Sequence, residues 1–258
     1  MMVQQETTKK NMGPADKNAV SLQFQALPLD QLMEVDRLIA AALSEDIHTG
    51  DITANSIVPE SQNCVATILL KEEAVVAGLE LFELVMRKCD PNAHLETFIN
   101  EGDRVNKVPT SIARVEGKAR AVLAAERTAL NFLQRMSGIA TLTREFTDKA
   151  SPLGIQILDT RKTTPGLRIV EKWAVRIAGG TNHRFGLWDA ILIKDNHIAI
   201  AGGVKQAVER SRHVHPDKPI EVEVVSLDML KEALSLKVER VMLDNMSPEQ
   251  IRKAIEMV

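Results

Sequence analysis

The sequence predicts an α/β protein in which a mixed α+β segment precedes a run of alternating strands and helices. Up to about residue 118, helical spacing alternates with strand-like runs bounded by turn formers. From Ala119 onward, short β-branched runs are separated by helical patterns. Strands separated by helices imply parallel βαβ units, in either a barrel or an open sheet. The length of 258 residues allows one or two domains at about 150 residues each.

Residues 1–28 are polar, with a Gly13-Pro14 step, and read as a mobile tail. Leu32, Val35, Leu38, Ile39 and Leu43 share one face and predict a helix over 29–43. It stops in the turn-rich run from Ser44 to Asp51. Strands are expected at 64–71, 95–100 and 111–116, with a helix at 79–88. Residues 119–150 read as helix with one break near Ser137-Gly138. Strands follow at 155–158, 190–193, 220–224 and 241–243, and helices at 167–177, 204–212, 227–234 and 248–257. There is no internal repeat and no low-complexity tract.

Apolar residues make up 45% and charged residues 26%, an ordinary globular balance. A net charge of −3 argues against a protein that coats nucleic acid through a general positive field. Six Phe, two Trp and no Tyr demote single-strand and carbohydrate platforms, which rely on exposed rings. Cys64 and Cys89 form no CxxC pair and no zinc set. They suit a reducing compartment. No apolar stretch approaches the ~20 residues that span a bilayer, and the N-terminus has no signal pattern. A cytoplasmic protein is expected.

The strand ends carry the chemistry. After 155–158 comes Asp159-Thr160-Arg161-Lys162, and after 190–193 comes Lys194-Asp195-Asn196-His197. The strand at 220–224 contains Glu221 and Glu223, and the strand at 241–243 is followed by Asp244-Asn245. Parallel α/β proteins build their sites at the carboxyl ends of strands. From Arg161 to His197 there are seven Lys or Arg against three Asp or Glu, a local excess of positive charge in an acidic chain. A pocket gathering Arg161, Lys162, Arg184 and Lys194, with His183, suits a polyanion. Arg168, Lys172 and Arg176, at helical spacing beside Glu171, read instead as a solvated helix face. Arg127 shares a helical face with Leu123 and Leu130 and reads equally as a snorkelling side chain or a functional one, with Glu126 as a candidate partner. The pairs Gly179-Gly180 and Gly202-Gly203 could each present backbone N–H groups to a phosphate. Neither a phosphate loop of the GxxxxGK[ST] type nor a GxGxxG turn occurs.

Residues 159–168, DTRKTTPGLR, and 182–197, NHRFGLWDAILIKDNH, resemble the quinolinate phosphoribosyltransferase family, also called nicotinate-nucleotide pyrophosphorylase (carboxylating). Residues 126–138, ERTALNFLQRMSG, and 45–53, EDIHTGDIT, match as well. The resemblance implies an N-terminal α/β sandwich over 29–126 and an open α/β barrel, of the type II phosphoribosyltransferase kind, over 127–258. It implies transfer of a phosphoribosyl group from phosphoribosyl pyrophosphate to quinolinate with decarboxylation, a step of NAD synthesis. By resemblance, Arg127, Arg161, His183 and Arg184 hold the quinolinate carboxylates. Lys162 and Lys194 contact phosphates, and Glu223 and Asp244 meet the ribose hydroxyls or a magnesium-bound pyrophosphate. Magnesium is held mainly through substrate, without a protein metal site. Arg127 acts across the interface of a homodimer.

The sequence departs from the family pattern in places. The family's last βα units, with a Ser-Gly-Gly turn and a second glycine turn for the ribose phosphate, do not follow the last helix. The barrel is therefore expected to be truncated within this chain. Ile177-Ala178 precedes Gly179 where a further glycine is expected, and Val225 stands where a carboxylate is common. Alternative readings are an impaired relative that binds dicarboxylates or dimerises, a related sugar-phosphate pyrophosphorylase, and a lyase using Lys194 as a Schiff-base amine.

Overall fold

The computed structural model describes residues 2–6 and 29–258; the rest of the expected tail lies outside the described residues. Two compact units form, one ending at His183 and the other spanning Arg184–Val258.

The first unit begins with β1 (Met2–Glu6), α1 (Leu29–Ile47), α2 (Ile52–Ile57), β2 (Asn63–Leu70) and β3 (Ala74–Val75). Then come α3 (Leu79–Cys89), β4 (His94–Thr97), β5 (Arg104–Val105), β6 (Thr110–Lys118), α4 (Ala119–Ala150) and α5 (Arg168–Ile177). Met2–Glu6 is thus a strand where no structure was expected, paired antiparallel with β2. The antiparallel sheet runs β1-β2-β6-β4. In β2 the strand alternation sends Cys64, Ala66, Ile68 and Leu70 into the core. Leu79, Leu81, Phe82, Val85 and Met86 of α3 join Leu130, Leu133 and Met136 of α4 there. The start of α3 is capped from a distance. Glu101 accepts the backbone N–H groups of Gly78 (2.9 Å) and Glu80 (3.0 Å), which satisfies donors that the helix itself leaves open. Gly78 sits at φ +105°, and a Cβ there would lie 3.0 Å from Met136 Sδ, so a side chain meets backbone strain and a tight contact.

α4 is continuous; the expected break at Ser137-Gly138 does not occur. Ser137 is buried and its hydroxyl accepts from Ala77 N–H (3.1 Å), a tertiary contact that gives the residue a role inside the helix. The strand expected at 155–158 is also absent. One parallel bridge, Leu158 to Thr181, is all that forms. A strand needs a partner along its length, and among the described residues this segment finds one only at Thr181.

The second unit contains β7 (Ile191–Ile193), α6 (Asp195–Ala201), α7 (Val204–Val214), β8 (Ile220–Val224), α8 (Leu227–Ser235), β9 (Arg240–Leu243) and α9 (Pro248–Ile255). The strands form a parallel sheet in the order β7-β8-β9. Ile193, Val222, Val224, Val241 and Leu243 pack with Val204, Val208, Leu230 and Ala254 of the helices. Strand alternation therefore gives the opposite face to Leu192, Lys194, Glu221, Glu223 and Asp244. One face of the sheet is the core, and the other carries Lys194, Glu223 and Asp244.

Candidate active site

In the first unit the basic segment 159–166 is irregular chain anchored to α5. At its start, the Asp159 carboxylate pairs with the Lys172 ammonium and accepts the backbone N–H of His183 (2.9 Å) and the side-chain amide of Asn182 (2.6 Å). Lys172 Nζ also donates to the His183 carbonyl (3.0 Å). In the middle, Arg168 donates to Thr163 Oγ1 (3.0 Å) and to the Arg161 carbonyl (3.4 Å). Toward the end, Glu171 accepts the Thr164 N–H (3.2 Å) and pairs with Arg135 of α4, which itself donates to Thr164 Oγ1 (2.5 Å). Adjacent residues of opposite charge on one helix thus pin the two ends of the segment.

Arg161 and Lys162 are held between those anchors. The Nε of Arg161 is buried and has no hydrogen-bond acceptor among the described residues. Leaving a charged donor buried and unmatched is costly, and a ligand carboxylate removes that cost. Lys162 is exposed.

Arg127 is exposed, while Leu130 on the same helical face is buried and Leu123 half-buried. It lines an open pocket of about 230 Å³ with Glu45, Asp46, Asn131 and Arg135. Glu126 is its electrostatic neighbour: burial pushes the Glu126 carboxyl up and Arg127 pulls it back.

In the second unit, Lys194 directly follows β7 and its ammonium lies 3.0 Å from Glu223 Oε2 on β8. The parallel register places these residues side by side, because Ile193 stands opposite Val222. Glu221, one pleat earlier, faces Arg240 at 3.6 Å. Asp244 follows β9, donates its N–H to the Val224 carbonyl (3.0 Å) and accepts from Asn245 Nδ2 (2.8 Å). Arg184 donates to the Ala190 carbonyl (3.1 Å), closing the turn that leads into β7.

The structure corrects two further expectations. Lys172 and Glu171 are not on a solvated face: they are 2% and 7% exposed. Arg176 is half-buried, with its Nε also lacking an acceptor among the described residues. The glycine pairs do not present free N–H groups. Gly179 and Gly180 donate to carbonyls of α5, and Gly202 and Gly203 both donate to Ile198, so each pair caps a helix. Asp159, Lys172 and Asn182 form a buried network that pattern reading did not single out. A buried lysine on an amphipathic helix has the same spacing as an exposed one, and nothing in the sequence separates them.

Residues 51–137 match the N-terminal domain model of quinolinate phosphoribosyl transferase, and residues 139–258 match its C-terminal domain model. The chain belongs to the quinolinate phosphoribosyltransferase family. It is 42% identical over 221 residues to the probable nicotinate-nucleotide pyrophosphorylase [carboxylating] of Bacillus subtilis, covering 85% of this chain and 76% of that one. It is 43% identical over 243 residues to quinolinate phosphoribosyltransferase [decarboxylating] 1b of Nicotiana tabacum, covering 90% of this chain and 69% of that one. Across the plant relatives, this chain spans between 62% and 69% of their lengths. The crystal structure of NadC from Streptococcus pyogenes superposes with a TM-score of 0.84 at 41% identity, covering 90% of this chain and 82% of that one. The α/β fold expected of a quinolinate phosphoribosyltransferase is the fold of this chain.

Proposed function

We propose that this chain transfers the phosphoribosyl group of phosphoribosyl pyrophosphate to quinolinate, with loss of carbon dioxide. The observation that carries this reading is the buried, acceptor-less Nε of Arg161 in a family member at over 40% identity. Such a group calls for a carboxylate, and quinolinate has two. Arg127, Arg161, His183 and Arg184 are assigned to those carboxylates, Lys162 and Lys194 to phosphates, and Glu223 and Asp244 to the ribose side.

The ring nitrogen of quinolinate forms a bond to the anomeric carbon as the bond to pyrophosphate breaks. Positive charge grows on the sugar and negative charge on the leaving group. Glu223 and Asp244 offset the first, and Lys162 and Lys194 the second. The resulting pyridinium nitrogen stabilises the electron pair left on the adjacent ring carbon when the carboxylate leaves as carbon dioxide, and a solvent proton then bonds to that carbon. No side chain has to act as a nucleophile, and positioning supplies most of the acceleration.

Among the described residues no three potential metal ligands cluster. Glu223 and Asp244 offer separate carboxylates, a donor set that suits magnesium held largely by substrate phosphates and water. Bound there, magnesium neutralises pyrophosphate charge.

The pairing of Lys194 with Glu223, and the 43% exposure of the lysine side chain, weigh against a Schiff-base lyase, which needs a desolvated amine. We assign the working form to a homodimer in which Arg127 serves the neighbouring subunit. Its exposure and its lack of any hydrogen bond or ion pair among the described residues support that role. Free thiols at Cys64 and Cys89 suit the cytoplasm, and no described helix is long and apolar enough to cross a membrane. Cell fractionation tests the location.

Incubation with quinolinate, phosphoribosyl pyrophosphate and magnesium should yield nicotinate mononucleotide by mass spectrometry. An Arg161→Ala chain should lose most of it through quinolinate binding. Equal product from both chains overturns the assignment. Mixing Arg127→Ala with Arg161→Ala chains should restore part of the activity, and no recovery after subunit exchange rejects the shared site.

A further inference from the structure

Lys172 is 2% exposed, yet it carries an ammonium in the middle of α5. Its neighbours Ile169, Val170, Trp173 and Ala174 are buried apolar residues. A buried ion pair is weakly explained by stability, because apolar residues of similar volume in its place are often neutral or stabilising. What this pair does is geometric. Asp159 Oδ1 takes both the Lys172 ammonium and the His183 N–H, while Lys172 takes the His183 carbonyl. Both backbone polar groups of His183 are therefore consumed by one ion pair. Asn182 adds a tie on each side, donating to Asp159 Oδ2 (2.6 Å) and to the Lys172 carbonyl (2.9 Å). The peptide planes flanking His183 are fixed, and so is the start of the segment that carries Arg161 two residues on.

We infer that the buried Asp159–Lys172 pair, together with Asn182, is a positioning device that sets His183 and Arg161 in register for the quinolinate carboxylates. It rests on the quinolinate reading given above. Asp159, Lys172 and Asn182 touch no substrate; they act through the side chains they hold. Carboxylate recognition by an arginine fork is directional, so a small shift of the anchors lowers affinity for quinolinate selectively.

The test is the double variant Asp159→Asn/Lys172→Met, which removes both buried charges and leaves neither unpaired. It should still melt cooperatively. Its KM for quinolinate should rise at least tenfold, with KM for phosphoribosyl pyrophosphate within twofold. A folded double variant with an unchanged quinolinate KM overturns the inference. So does a rise shared equally by both substrates, which is what a merely structural role produces. If the double variant does not melt cooperatively, Asn182→Ala keeps the ion pair and should still raise the quinolinate KM severalfold; no change there is equally fatal.

A readout independent of turnover separates this from the functional reading. The chain has six histidines. The His183 ring signal, assigned by His183→Gln, should move in the double variant while the other five stay. A parent that makes no nicotinate mononucleotide refutes the function, whereas an unmoved His183 signal refutes the positioning.

Discussion

The two units hold their charged residues by different physics. In the second, Lys194, Glu223 and Asp244 are placed by strand register: parallel pairing and the two-residue pleat put them on one face, and the helices need only cover the other. In the first, segment 159–166 has no sheet to order it. Its shape comes from side chains, with Lys172, Arg168 and Glu171 of α5 each gripping a different residue. Register is robust because backbone hydrogen bonds set it. A side-chain scaffold is fragile because each buried charge depends on its partner.

That contrast predicts unequal costs. Lys172→Met alone strands the Asp159 carboxylate in a buried position and should cost about 3–5 kcal/mol of stability, measured by urea denaturation. A loss under 1 kcal/mol would show that the segment is not built on this pair. Glu223→Gln is the matching change on the register side. Lys194 is 43% exposed, so stability should move by less than about 1 kcal/mol. The turnover number should nonetheless fall about a hundredfold if the carboxylate stabilises charge in the transition state. Equal losses of stability in the two variants would erase the distinction.

Ser247 accepts the N–H of Gln250 and Gln250 returns the bond, a capping box at the start of α9. Ser247→Ala should cost about 1 kcal/mol in the same denaturation, with quinolinate KM unchanged. A further effect concerns neither charged group and is read across pH. Burial, then the neighbouring carboxylates of Glu101 and Glu83, pushes the Glu80 carboxyl up to about 8. The folded chain keeps that proton while the unfolded chain loses it above about 4.5. Stability from this residue is therefore greatest at low pH and falls as pH rises toward 8. Glu80→Gln should flatten the drop in melting temperature between pH 5 and 8.5. An unaltered drop would assign the slope elsewhere. Burial also raises the Glu101 carboxyl, against the helix N–H groups that lower it, so part of the slope should persist.

Periodicity was legible wherever an element is buried on one side. The strand at 220–224 and helices α7, α8 and α9 fall within a few residues of their expected limits, whereas α6 was not expected. Misreadings came where a partner decides the outcome. Residues 155–158 have the composition of a strand and too little to pair with. Met2–Glu6 has the composition of a tail and pairs with β2. Ser137-Gly138 looks like a helix stop and is held helical by packing and by Ala77.

The sequence alone determined the βαβ order of the second unit and the charged residues at its strand ends. Through long motifs it also determined the family. These depend on local spacing, which sequence records directly. The tertiary structure decided which charges are buried. Lys172 and Arg168 sit one turn apart with the same charge, yet Lys172 is sealed against Asp159 and His183 while Arg168 clasps the loop from its flank. Burial and partner choice depend on residues brought together by folding, and the ionic scaffold under His183 exists only once Asp159, Lys172 and Asn182 have met.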